Sequence, residues 1–124
     1  MKPNPVGWFE IYVQDMDRAK AFYEKALGAK FERLEAGGLE MWAFPGTQEG
    51  GMGCSGTLVK MQGVPSGGNS TLVYFMCDDC KVEEGRVKDA GGRVEKPKFS
   101  IGQYGFVTLA IDTEGNMFGL HSMK

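Results

Sequence analysis

The chain has 124 residues, 42% of them hydrophobic and 24% charged, with a formal net charge of −2. That length and composition suit one globular domain with a core of its own, and the absence of a basic surplus argues against a nucleic-acid partner. No apolar run approaches the roughly 20 residues needed to span a bilayer, and Met1-Lys2-Pro3-Asn4-Pro5 has no apolar export segment, so the expectation is a cytoplasmic protein without a membrane partner.

In chain order, residues 6–14 alternate, with Phe9, Ile11 and Val13 on one face and Trp8, Glu10, Tyr12 and Gln14 on the other, which predicts a strand. Asp15 then suits an N-cap. Ala19, Phe22, Tyr23, Ala26 and Leu27 recur at helical spacing, and Gly28 suits the left-handed position that ends a helix. Shorter strands follow at 29–35, 39–44 and about 54–61, separated by Ala36-Gly37-Gly38 and by a glycine-rich loop running to Gly53. That loop lacks the Gly-Lys-Thr/Ser ending of a phosphate loop and reads as a mobile loop beside a cavity.

After a linker at 63–69 the order restarts. A strand is predicted at 70–77, Asp78 or Asp79 as cap, a helix reaching Ala90, and strands near 93–99, 105–111 and 116–122. Asp15 to Gly28 and Asp78 to Gly91 have the same spacing, so the chain reads as two copies of one βαβββ unit. The first module covers about 5–62 and the second about 70–124, within a single domain spanning 1–124. The second helix holds Gly85 and only Val82 and Val87 as larger aliphatic residues, so it is expected to be shorter or more exposed.

Asp15-Met-Asp-Arg-Ala-Lys-Ala-Phe-Tyr-Glu-Lys-Ala-Leu-Gly28 resembles the first helix of the vicinal oxygen chelate superfamily, which holds glyoxalase I, bleomycin-resistance proteins and extradiol dioxygenases. Lys88-Asp-Ala-Gly-Gly-Arg-Val and Asp112-Thr-Glu-Gly-Asn-Met-Phe-Gly119 are similar to a helix end and a closing hairpin of the same superfamily. The resemblance implies an α+β fold of paired βαβββ modules, their mixed sheets curved into a cup that holds a small organic molecule, and a homodimer. It also implies that Trp8, Glu10 and Tyr12 point into the cup while Phe9, Ile11 and Val13 pack under the helices.

Metal-binding members take His or Glu ligands from positions that correspond here to Trp8, about Val59, Leu72 (or Thr71) and Gly119. Indole, aliphatic side chains and glycine supply no ligand to a divalent ion, and a lone threonine hydroxyl is a poor one. No metal and no other cofactor are therefore expected.

The candidate catalytic residues are Glu10, a mid-strand carboxylate suited to a general base or to pairing with a cationic ligand, and His121, the only histidine. The plainer alternatives are a half-exposed glutamate paired with a basic residue and an exposed histidine near the C-terminus. Trp8, Tyr12, Trp42, Phe44, Tyr74 and Tyr104 form an aromatic set that would line a ligand cavity if they face away from the helices, or plain core if they do not. Cys77-Asp-Asp-Cys80 places two thiols where a strand meets a helix, the setting of a low-pKa redox cysteine, although buried small side chains are the simpler reading. The expected function is metal-independent binding of a small organic molecule, including sequestration of a toxic compound or antibiotic. The alternatives are a glyoxalase-type lyase or isomerase with Glu10 as base, and a dimeric interaction module whose cup is filled by its own side chains.

Overall fold

The computed structural model describes residues 5–45, 54–68 and 70–124. The glycine-rich loop that reads as a cavity loop, 50–53, lies outside them. Two compact units emerge: one runs from Trp8 to Thr71, and the other comprises the N-terminal residues up to Gly7 together with Leu72–Lys124.

The first unit contains most of β1 (Val6–Tyr12), then α1 (Met16–Leu27), β2 (Glu32–Ala36), β3 (Leu39–Ala43) and β4 (Ser55–Lys60). β1 pairs in parallel with β4, β4 antiparallel with β3, and β3 antiparallel with β2. The second unit follows the same plan with β5 (Thr71–Met76), α2 (Cys80–Val87), β6 (Arg93–Ser100), β7 (Phe106–Ile111) and β8 (Met117–Ser122). Here β5 pairs in parallel with β8, β8 antiparallel with β7, and β7 antiparallel with β6. The pairing order is thus that of the first unit, so the repeat seen as matched cap-to-stop spacing is also a repeat of topology.

Local chemistry sets the helix ends. The Asp15 carboxylate accepts the Arg18 N–H at 3.0 Å, and Gly28, at φ 69°, donates its own N–H to Glu24 O at 2.9 Å. Of the two candidate caps for α2, Asp79 is the one used, accepting the Lys81 N–H at 3.0 Å. α2 is 8 residues long against 12 for α1, as its Gly85 and scarce apolar side chains predict.

Val13, Met16 and Leu58 form the core beneath α1, with Ile11, Ala19, Tyr23 and Phe31 against them. Phe9 lies on the same side, where Gly56 leaves room for its ring: a Cβ at Gly56 would sit 2.5 Å from it. The buried stripe of α1 is narrower than its apolar residues suggest, for Phe22 and Leu27 are 62% and 68% exposed. Among the described residues no helix is long and apolar enough to cross a membrane.

Candidate functional site

In the first unit Phe9, Ile11 and Val13 face α1, so alternation turns Trp8, Glu10 and Tyr12 to the opposite side of the sheet. The Tyr12 hydroxyl donates to Glu10 Oε1 at 2.8 Å and the Trp8 indole N–H reaches Glu10 Oε2 at 3.4 Å, so both neighbours on that face of the strand hold the carboxylate. Burial first, and the Glu10 carboxylate second, push the Tyr12 phenol far above the ordinary tyrosine range. Tyr12 is therefore a proton donor at every physiological pH.

The parallel register of β1 and β4 places Thr57 beside Glu10 on the same face. Thr57 is fully buried, and its Oγ1 has no hydrogen-bond partner among the described residues. A buried hydroxyl without a partner is an uncommon and costly arrangement. Sequence reasoning missed this residue, because the residue opposite Glu10 follows from register and not from periodicity.

Trp42 and Phe44, expected among the ligand-facing aromatics, lie on the other side of this sheet, and their assignment to the ligand face is corrected. Both pack on the core beneath α1. Phe44 meets the rings of Phe9, Tyr23 and Phe31, with centroids 4.7–5.6 Å apart. Trp42 donates its N–H to Glu40 at 3.1 Å, and the Lys20 ammonium lies 3.3 Å from its ring centroid. Alternation could not fix the parity of β3, since Leu39, Met41 and Ala43 on one face are as apolar as Trp42 and Phe44 on the other.

In the second unit Tyr74, Gly119 and His121 share the face opposite α2, as alternation in β5 and β8 requires. Tyr74 is buried and its ring lies directly over Gly119, where a Cβ would come within 2.2 Å of it. The Tyr104 ring belongs to a 3₁₀ turn, Gly102–Tyr104, and is 45% exposed. Its backbone, not its ring, makes the contact of interest: Tyr104 O lies 2.6 Å from His121 Nε2.

The positions that the resemblance maps onto metal ligands are Trp8, about Val59, Leu72 (or Thr71) and Gly119. Of these only the Thr71 hydroxyl carries an oxygen that could bind an ion, and the Tyr74 ring occupies the space a longer side chain at Gly119 would need. Among the described residues no three His, Cys, Asp or Glu side chains come together in a group able to hold a metal ion.

Cys77 runs against the low-pKa reading of the C-x-x-C pair. Burial, followed by the Glu83 carboxylate and Cys80, pushes its thiol up to about 11, so it is not an activated thiolate. Cys80 is wholly buried beside Thr108.

By sequence, the model of the bleomycin resistance protein-like N-terminal family matches residues 6–40, the stretch that holds β1, α1 and β2. By structure, a Streptomyces coelicolor methylmalonyl-CoA epimerase in complex with 2-nitronate-propionyl-CoA aligns over 96% of both chains with a TM-score of 0.68 and 18% identity. This chain has the fold of the vicinal oxygen chelate superfamily. Two further structures agree with that fold: the Mycobacterium tuberculosis methylmalonyl-CoA epimerase (TM-score 0.65, 15% identity, covering 100% of this chain and 93% of the other) and a hypothetical protein of Bacillus halodurans C-125 (TM-score 0.71, 14% identity, covering 99% and 96%). No curated protein matches the chain by sequence. At these identities the vicinal oxygen chelate likeness fixes the fold and leaves the chemistry to the residues above.

Proposed function

We propose that this vicinal oxygen chelate protein binds a small organic molecule without a metal ion, as a cytoplasmic homodimer. The observation that carries this reading is the Glu10 face, where Trp8 and Tyr12 hold a carboxylate and the buried Thr57 hydroxyl beside it has no partner among the described residues. An aromatic and a phenol flanking an acceptor, with a hydroxyl awaiting a polar group, are the kinds of contact that orient a small polar ligand. Metal independence rests on the donor set: indole, aliphatic and glycine residues stand where ligands would be needed. The match of residues 6–40 to the bleomycin resistance protein-like family supports sequestration of a toxic compound or antibiotic as the biological use.

The likeness to methylmalonyl-CoA epimerases favours a second reading, a lyase or isomerase that moves a proton with Glu10 as base. In that reading the Tyr12 hydroxyl and Trp8 N–H steady the carboxylate, and the acceptor atom is a Glu10 oxygen.

Native mass spectrometry of protein purified without a chelator, paired with elemental analysis, tests the first reading. The expected result is a dimer carrying an organic mass and less than about one tenth of a divalent ion per chain, far short of the one ion that a catalytic site of this kind needs. One stoichiometric ion per chain overturns it. Glu10→Gln separates the two readings: turnover disappears if Glu10 is the base, whereas affinity for a neutral ligand changes by no more than about tenfold, the equivalent of one hydrogen bond.

A further inference from the structure

His121 belongs to the second unit, whereas Glu10 belongs to the first. In β8 it is paired with Met76 on one side and Val107 on the other, so its strand neighbours carry no charge. Its Nε2 lies 2.6 Å from the Tyr104 carbonyl oxygen. A carbonyl has lone pairs and no hydrogen to give, so in the neutral ring the proton sits on Nε2 and Nδ1 keeps a lone pair. That Nδ1 is shielded from solvent and has no hydrogen-bond partner among the described residues.

The turn that presents the carbonyl is narrowly fixed. Gly102 and Gly105 adopt φ of 72° and 102°, values that side chains rarely tolerate, and the Gly105 N–H closes the turn on Gly102 O at 3.1 Å. A Cβ at Gly105 would stand 2.4 Å from Ser122 O, so the turn approaches β8 as closely as it does only with glycine there. Ile101 N–H to Gly105 O at 2.8 Å closes the loop from the other side.

We propose that His121 Nδ1 is a binding point for a small neutral molecule bearing an O–H or N–H donor, with the Tyr104 carbonyl as the positioning group that sets the imidazole tautomer. An alcohol, phenol or amide fits this acceptor. The apolar neighbours offer no countercharge for an ion, and an isolated imidazole nitrogen does not hold a divalent metal. Met76, in register beside it, is 42% exposed, so a donor reaches the shielded Nδ1 only where side chains at this surface move aside.

The chain has one histidine, so ring-nitrogen NMR on the ¹⁵N-labelled full-length protein gives one pair of imidazole signals to follow. In the neutral ring the expected pattern is a protonated Nε2 and an Nδ1 at the position of an unbonded lone pair. Acetamide and phenol serve as probes, and each moves the Nδ1 signal while Nε2 stays in place. His121→Phe keeps a flat ring and removes both nitrogens, and with them the acceptor, so saturation transfer from protein to acetamide is lost in that variant. Gly105→Ala displaces the turn and yields a mixture of tautomers; if that variant does not fold, His121→Phe still decides. A proton on Nδ1, an Nδ1 signal that neither probe moves, or undiminished saturation transfer in His121→Phe overturns the proposal, and none of these outcomes bears on Glu10.

Discussion

Tyr12 and Thr57 are the two residues through which the Glu10 face is most directly measured. Because burial and then the Glu10 charge oppose the phenolate, the folded protein holds the Tyr12 proton where an unfolded chain releases it near pH 10. That contribution to stability is whole below about pH 10 and is lost as the pH rises beyond it, which urea unfolding of the wild type against Tyr12→Phe across alkaline pH should show as a steeper fall in the wild type. Glu10→Gln should lower the Tyr12 titration only part of the way, since burial is the larger cause, and tyrosinate absorbance reads this directly. Thr57→Val keeps the shape of the side chain and removes its unsatisfied oxygen, so thermal unfolding should show a gain of about 1 kcal/mol, or roughly 4 °C in Tm, in the free protein. A loss of stability would mean that the hydroxyl is satisfied. Trp8, Glu10 and Tyr12 were legible because one strand with a strict apolar face fixes its own parity. Thr57 was not, because a pairing partner is set by the fold, and Trp42 and Phe44 were misplaced because both faces of their strand are apolar.

The two helices show how unequal sequences fill equal roles. α1 is anchored by rings and aliphatic side chains; α2 has few of either, and holds to its strands through Glu84, whose carboxylate accepts from the Lys98 N–H at 2.6 Å and from Thr108 Oγ1 at 2.8 Å and pairs with the Lys81 ammonium. Burial alone would raise the Glu84 carboxyl, and these donors outweigh it, so the net shift is downward. The stability it supplies is therefore present above the ordinary glutamate range and is lost as the pH falls through the lowered value of the folded state. Glu84→Gln should cost about 1–3 kcal/mol at neutral pH and flatten the acid side of the stability profile, both measurable by denaturant unfolding. Gly28→Ala should cost about 1 kcal/mol, since alanine is strained at the left-handed φ that closes α1. The caps and the Gly28 stop were readable in the sequence because they depend on local groups, whereas α2, read to Ala90 with Gly91 as its stop, ends at Val87 with Lys88 as its C-cap. The 3₁₀ turn at Gly102–Tyr104 was not readable, because its flanking glycines announce a bend without naming the bond pattern inside it.

Over the whole molecule, the order and pairing of strands repeat between units whose side chains have little in common, which is why matched spacing sufficed to read the architecture while the site needed the structure. An aspartate cap and a helix of allowed length recur for backbone reasons; what faces a ligand is free to differ, and here the positions expected to bear metal ligands carry Trp8, about Val59, Leu72 (or Thr71) and Gly119. On the proposed metal-free reading, dialysis against a chelator should leave Tm within about 1 °C, because without a bound ion there is no mass-action stabilisation to lose.

The two tryptophans stand on opposite faces of the same small sheet, Trp8 with its N–H toward Glu10 and Trp42 beneath α1 with Lys20 against its ring. Light emission from the chain therefore has two separable sources. In Trp42→Phe the remaining indole reports on the surroundings of Glu10 alone, so quenching or a change of colour on adding a compound signals occupancy of that face. In Trp8→Phe the remaining indole follows the packing of α1 and ignores what arrives beside Glu10. The fold thus carries its own optical probe and its own reference, and a compound library can be screened without attaching a dye.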